Sequence, residues 1–166
     1  MPVDRSVIGL PTSAAKVHVE RGPVSAFAGA LKDRSPIYHD AGAAKAAGFT
    51  DVPAPPTYSF AMNYMGRFDE DQPPDPTGGM NPMHKVMGEL FAGGGLVLHG
   101  EQEFEYHRPI VVGDVLVSEG VLTDIYEKDT DAATMTFIVI RTDWTDAESG
   151  APVVTERFNL IARLRK

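Results

Sequence analysis

The sequence predicts an α+β domain in which a helical first half covers one face of a long antiparallel sheet. In the first half, apolar residues recur at helical spacing between capping and helix-breaking residues. The second half alternates in polarity and is rich in valine, isoleucine, threonine and aromatic residues. With 166 residues, we expect one domain spanning 1–166 that is large enough to bury its own core.

Capping and breaking residues divide the first half into segments. A short strand over 16–20 precedes a helix over 22–35, which a proline begins and another proline ends. An alanine-rich helix over 40–48 has an aspartate as its cap. A third helix is predicted over 57–67, with the threonine at its start as the cap. The fourth runs over 81–93, from an asparagine–proline pair to a run of glycines.

Four long strands are predicted in the second half, over 96–108, 114–127, 133–144 and 153–165. Strict alternation in the first of them puts His99 and Glu101 side by side on one face. Short turns between consecutive strands predict a meander, in which each strand pairs with the next. Only the helical half can cover this sheet, so the simplest packing wraps the sheet around a helix.

The formal charge of −8 at pH 7 argues against two classes of partner. An acidic chain repels the phosphate backbone of nucleic acids and the anionic surface of membranes. No signal peptide is evident and no stretch approaches the roughly 18 apolar residues of a membrane span, so we expect a cytoplasmic protein. With no cysteine there is no thiolate chemistry. The acidic, proline-rich stretch 69–79 is predicted to be a mobile surface loop.

Two motifs identify the family that the chain resembles. The first runs from Asp33 to Asp40 and continues through Gly48-Phe49 to Ala54-Pro55-Pro56-Thr57. The second is an aromatic strand that ends in a basic residue and proline and leads to Gly-Asp, over 104–114. Both resemble motifs of the MaoC-like hydratases and dehydratases, which have the hotdog fold. The Ala-Pro-Pro-Thr form is most similar to the N-terminal dehydratase-domain branch, which includes accessory subunits of mycobacterial fatty-acid dehydratases.

The resemblance implies a reaction, the reversible addition of water to a trans-2-enoyl thioester to give a (3R)-hydroxyacyl thioester. The thioester would be carried by coenzyme A or by an acyl-carrier protein. A carboxylate and an imidazole hold the water, and one of them takes its proton as oxygen attacks the β-carbon. A backbone N–H stabilises the charge that develops on the thioester oxygen. No cofactor or metal is expected.

The chain departs from the family's catalytic pattern. The aspartate is present as Asp33, but Ser35 stands where the resemblance places an asparagine and Tyr38 where it places the catalytic histidine. His39 follows one residue later. We expect Asp33 to polarise the water, His39 or His99 to supply the imidazole, and Tyr38 to orient substrate or water. Glu101 is a further carboxylate for a pair with His99. For each of them, a purely structural role is the alternative.

Substrate-binding residues are expected around the proline connector. Pro55, Pro56 and Thr57 would shape the thioester pocket, and Arg108 would contact a phosphate of the carrier. Aromatic residues of the third predicted helix would line the acyl tunnel, namely Tyr58, Phe60 and Tyr64.

Three functions follow from the resemblance. The leading one is an enoyl-thioester hydratase or dehydratase that works as a homodimer or as a heterodimer with another hotdog protein. The second, favoured by Tyr38, is a non-catalytic subunit that completes the acyl tunnel of a partner bearing the catalytic pair. The third is an acyl-CoA thioesterase, because one fold hosts several activities.

Overall fold

The computed structural model describes residues 3–165 of the chain. Within them lie five strands, β1 Pro11–His18, β2 Leu96–Tyr106, β3 Val115–Asp129, β4 Ala133–Asp146 and β5 Pro152–Arg165. Four α-helices accompany them, α1 Arg21–Ala30, α2 Ala41–Ala46, α3 Tyr58–Met65 and α4 Pro82–Ala92. All strands belong to one antiparallel sheet. The predicted α+β class is therefore confirmed.

The strand order is β1-β3-β4-β5-β2, so the predicted meander holds only for β3, β4 and β5. The expected pairing of β2 with β3 is wrong, because β2 lies at the edge of the sheet beside β5. The residues after β2 explain this. Ile110 accepts a hydrogen bond from the Ala54 N–H at 2.8 Å, and the Val112 N–H donates to Val52 at 2.9 Å. These bonds to the proline connector lead the chain away from β2 before β3 begins.

The first helix, α1, is shorter than the predicted range of 22–35. α1 ends at Ala30 because Lys32 adopts a left-handed conformation, with φ 58°. The Asp33 N–H then donates back to the Ala28 carbonyl at 3.0 Å, which satisfies a carbonyl at the helix end. The predicted cap at Asp40 is confirmed, since its side chain accepts the Ala43 N–H. Asn81, where the fourth helix was predicted to start, also caps its helix and accepts the Met83 N–H.

A close contact with β1 ends α3 at Met65 rather than at residue 67. A Cβ atom on Gly66 would lie 2.5 Å from the carbonyl oxygen of His18, so only glycine allows this approach. The strand itself is longer than the predicted one over 16–20 and begins at Pro11.

The start of the acidic loop covers the outer edge of β1. Asp71 binds the Lys16 ammonium and the His18 imidazole, each at 2.8 Å. The Gln72 side chain accepts the Lys16 N–H and donates to the Lys16 carbonyl, as a neighbouring strand would. This edge is therefore protected from pairing with another chain.

Helices α3 and α4 both pack against the sheet. α3 buries Tyr58 and Met62 in a core cluster with Trp144 and residues of β1, β3 and β5. α4 buries Val86 and Leu90 in a second cluster against β3, β4 and β5. No helix among residues 3–165 has the length and hydropathy needed to cross a membrane.

Candidate functional site

The two motifs, although far apart in sequence, meet around one cavity at the start of α3. Its volume is about 380 Å³, which lies within the usual size range of small-molecule sites. We call it the Tyr38 cavity. It is lined by Tyr38, Phe49, Pro53, Ala54, Pro56, Tyr106, His107, Arg108, Pro109 and Ile110.

The start of α3 is held in a strained conformation at the wall of this cavity. Thr57 has φ 70°, which is uncommon for a β-branched residue. Its side chain makes no capping hydrogen bond, contrary to the predicted cap. Instead the Thr57 N–H donates to the Tyr106 hydroxyl at 3.0 Å. Strain of this kind persists where the surrounding structure enforces it, often at functional sites.

The loop before α2 uses its polar groups to fix its own shape. The Asp33 carboxylate accepts the Ser35 N–H at 2.9 Å. His39 Nε2 lies 2.9 Å from the Asp33 carbonyl oxygen, and this contact requires a proton on Nε2 because a carbonyl only accepts. Arg21 donates to the His39 carbonyl at 2.6 Å. His39 thus stabilises the loop from its exposed side.

Tyr38 is the candidate from this loop that lines the cavity. Partial burial, and secondarily the negative charge of Asp33, raise the pKa of its hydroxyl above the ordinary value. The phenol therefore stays protonated near neutral pH and is available as a hydrogen-bond donor.

The expected juxtaposition of His99 and Glu101 on one face of β2 is not present. A bulge between His99 and Gln102 adds one residue to β2, so that these two residues pair with Leu160 and Phe158 of β5. His99 therefore faces α3, where its ring lies 4.5 Å from that of Phe158 and 5.9 Å from that of Phe60. Glu101 lies within the bulge and is exposed.

The bulge depends on glycine. A Cβ atom on Gly100 would lie 2.7 Å from the Asn159 carbonyl oxygen and 2.8 Å from the Ile161 side chain. A glycine inside an alternating strand is a sequence signal for such a bulge. It is the signal that the strict-alternation prediction overlooked.

Arg108 lies at the cavity but its charge is already balanced. Its guanidinium is 2.7 Å from Asp114 and 3.1 Å from Asp146. These carboxylates tie the end of β2 to the start of β3 and the end of β4. The predicted phosphate contact would thus have to compete with two carboxylates.

The aromatic residues expected to line one tunnel are divided between two environments. Tyr58 is fully buried and packs edge-on against Phe27. Phe60 and Tyr64 line a second cavity, on the other side of α3. Of the connector residues, Pro55 is buried whereas Pro56 lines the Tyr38 cavity.

The second cavity lies between α3, α4 and the sheet and has a volume of about 260 Å³. We call it the Glu156 cavity. It is lined by Thr12, Ser13, Ser59, Phe60, Asn63, Tyr64, Asn81, Met83, Ile140, Thr142, Trp144, Glu156 and Phe158. Its polar residues were not predicted from the sequence. The available signal was Glu156, a charged residue at an inward position between Val154 and Phe158 of β5.

Residues 6–156 match the sequence profile described as FAS1-like, dehydratase domain region. The chain belongs to this family. The match confirms the dehydratase family that the two motifs predicted. By resemblance to this family, Tyr38 occupies the loop position of the catalytic imidazole.

Two relatives and one crystal structure illustrate the similarity. A UPF0336 protein of Saccharopolyspora erythraea is 37% identical over 166 residues, covering 98% of this chain and 93% of the relative. A probable enoyl-CoA hydratase alpha subunit of Thermomonospora curvata is 32% identical over 133 residues, covering 80% of this chain and 41% of that longer protein.

The similar structure is the ChsH1–ChsH2 complex from Mycobacterium tuberculosis. One of its chains matches with a TM-score of 0.69 and 24% identity, over 91% of this chain and 83% of that one. The hotdog fold expected from the resemblance is thereby confirmed.

Proposed function

We propose that this chain is the acyl-thioester-binding subunit of a hotdog dehydratase, and that a partner hotdog supplies the imidazole for hydration. The substrate pair is a trans-2-enoyl thioester and its (3R)-hydroxyacyl product. The observation that carries the proposal is the lining of the Tyr38 cavity. It brings the family's two motifs together, with the Tyr38 phenol at the loop position where the resemblance places the catalytic imidazole.

Tyr106 is the proposed donor to the thioester oxygen. Its hydroxyl accepts the Thr57 N–H, and within residues 3–165 its own proton has no acceptor. A hydroxyl that accepts one hydrogen bond becomes a better donor of another. Donation to the thioester oxygen would stabilise the enolate charge that develops as water adds to the β-carbon. The apolar walls formed by Phe49, Ile110 and the prolines suit the acyl chain.

The surroundings of the histidines support the proposal that a partner supplies the imidazole. His39 is engaged with the Asp33 carbonyl, and His99 lies in an aromatic cluster beside α3. His107 lines the cavity, but its Nε2 lies 3.3 Å from the Thr155 hydroxyl. Among residues 3–165, the one ion-pair contact between an imidazole and a carboxylate joins His18 to Asp71, at the β1 edge. Hydration needs an acid–base group in contact with the water at the thioester.

The exposed edge of β2 is the proposed contact with the partner. The β1 edge is covered by Asp71 and Gln72, whereas no strand of residues 3–165 pairs with the outer edge of β2. Leu96, Leu98 and Tyr106 are exposed on this strand. An edge strand without a neighbour leaves its backbone N–H and C=O groups free to pair with another sheet. The partner can be a second copy or a different hotdog chain.

A hydratase that works alone is the second candidate. It is favoured by the position of Asp33, whose charge acts on the Tyr38 hydroxyl beside the cavity. In that case the carboxylate would polarise the water and the phenol would orient it.

The test is hydration of a panel of trans-2-enoyl-CoA esters, followed by loss of the conjugated absorbance. We expect no hydration by the purified chain. The double variant Ser35→Asn/Tyr38→His restores the family pattern and is expected to hydrate at least about 100-fold above that background, the usual contribution of an acid–base group. Ser35→Asn/Tyr38→Phe is the matched control without an imidazole. Hydration by the unmodified chain would favour the second candidate, and release of free thiol would instead indicate a thioesterase.

A further inference from the structure

The Glu156 cavity is a second site with its own chemistry. Its lining shares no residue with that of the Tyr38 cavity. Thr12, Ser59, Trp144 and Glu156 form polar walls, and each is more than nine-tenths buried. Tyr64, which is 83% exposed, stands where the cavity meets the surface.

The polar atoms in these walls lack partners. Thr12 Oγ1, Ser59 Oγ, Asn63 Oδ1, Trp144 Nε1 and Glu156 Oε1 are buried, and none of them has a hydrogen-bond partner of standard geometry within residues 3–165. Each such group costs about 1–3 kcal/mol when left unsatisfied. Proteins seldom tolerate several of them together without a bound molecule.

Two of these donors surround the Glu156 carboxyl. Burial raises the pKa of the Glu156 carboxyl, while the nearby Ser59 hydroxyl and Trp144 indole act in the opposite direction. Both donors therefore lie beside the carboxyl, although within residues 3–165 neither makes a hydrogen bond of standard distance and angle. A group that lies between them could bond to all three.

The charge of the walls restricts what that group can be. Among residues 3–165, no lysine, arginine or histidine lines the cavity, so an anion would find no counterion among them. Burial favours the neutral carboxyl, so a cation would have to bind against that preference. A hydroxyl group both donates and accepts hydrogen bonds and carries no charge. Phe60, Ile140 and Phe158 complete the lining with an apolar wall.

We propose that the Glu156 cavity binds a small neutral alcohol. Its hydroxyl is held by Glu156, Ser59 and Trp144, and its hydrocarbon part packs against Phe60, Ile140 and Phe158. The volume of about 260 Å³ has room for about ten non-hydrogen atoms. The proposal does not rest on the proposed function, because the two cavities have separate linings.

Trp144 is the chain's one tryptophan, so its indole N–H resonance reports on this cavity alone. The test titrates ¹⁵N-labelled protein with cyclohexanol, cyclohexylammonium and cyclohexanecarboxylate, which share a ring and differ in the polar group. We expect cyclohexanol to shift the indole resonance saturably and the carboxylate to leave it unchanged. No shift with any probe would overturn the proposal, as would tighter binding of the ammonium or of the carboxylate than of the alcohol.

Variants of Glu156 identify the recognising group. Glu156→Gln keeps a neutral donor and acceptor of the same shape, so its affinity for cyclohexanol is expected to stay within about threefold. Glu156→Leu is expected to weaken binding at least about tenfold, through loss of a hydrogen bond. Glu119→Leu, at an exposed position of β3, is the matched control and keeps the affinity. Ser59→Ala gives an independent reading and is also expected to weaken binding. Unchanged affinity in both Glu156→Leu and Ser59→Ala would overturn the proposal.

Discussion

The Tyr38 cavity and the Glu156 cavity lie along the same short helix but differ in how their polar groups are satisfied. At the Tyr38 cavity, the Thr57 N–H reaches Tyr106 and the Arg108 charge is balanced by two carboxylates. At the Glu156 cavity, several buried polar atoms have no partner in the protein. The polar groups named at the first cavity are fixed by the fold, whereas those of the second are left for the alcohol that we propose to bind there.

Loss of the anchor of α3 would disrupt both cavities and is the largest effect we expect. Tyr58 is fully buried in the core beneath this helix. Tyr58→Ala should lower the free energy of unfolding by about 3–5 kcal/mol, from lost burial and a residual cavity. Urea unfolding measures this. Tyr64→Ala removes the same side chain from an 83% exposed position of α3 and should change stability by less than about 0.5 kcal/mol. Equal effects of the two variants would contradict this account of α3.

A substitution in the β2 bulge should change the Glu156 cavity without changing the Tyr38 cavity. Gly100→Ala puts a methyl group 2.7 Å from a carbonyl oxygen of β5, and we expect a loss of about 1–3 kcal/mol. The distortion reaches His99, whose ring contacts Phe158 in the lining of the Glu156 cavity, and we expect it to leave the Tyr38 cavity intact. Gly88→Ala, inside α4 with no atom within 4 Å of the new methyl, should instead stabilise by about 0.5–1 kcal/mol. A stabilising Gly100→Ala would show that the bulge is absent.

The smallest effect concerns the charge of Glu156. Below the ordinary pKa of 4.5, this carboxyl is protonated in both the folded and the unfolded chain. As pH rises above that value, the unfolded chain releases the proton while burial holds it in the folded chain, so unfolding becomes more favourable. The melting temperature of the wild type should therefore fall, relative to that of Glu156→Gln, between pH 4 and pH 7. Parallel curves would contradict a buried neutral carboxyl, and Glu119→Gln serves as the exposed control.

Signals that act over a few residues made much of the fold predictable. The helices predicted to start at Asp40 and Asn81 do start there, and each side chain caps its helix, because a cap depends on the next three residues. The strands of the second half were recognisable from composition and alternation. The two motifs of the Tyr38 cavity were visible as continuous segments, and the structure brings them together.

Features that depend on distant contacts were not predictable in the same way. The placement of β2 beside β5 is fixed by bonds between the proline connector and residues 110–112, which no local pattern encodes. Lys32 adopts the left-handed conformation that ends α1, at a position where no glycine signals the helix end. The Glu156 cavity gathers single residues from β1, α3, α4, β4 and β5, so its polar groups share no motif.

Equilibrium dialysis of a trans-2-enoyl-CoA against the unmodified chain tests the central claim most directly. The thioester is quantified on both sides by total coenzyme A and by its conjugated absorbance. The account predicts excess coenzyme A ester on the protein side with undiminished absorbance per ester, which means binding without hydration. A fall in that absorbance, or an equal distribution of the ester across the membrane, would contradict it.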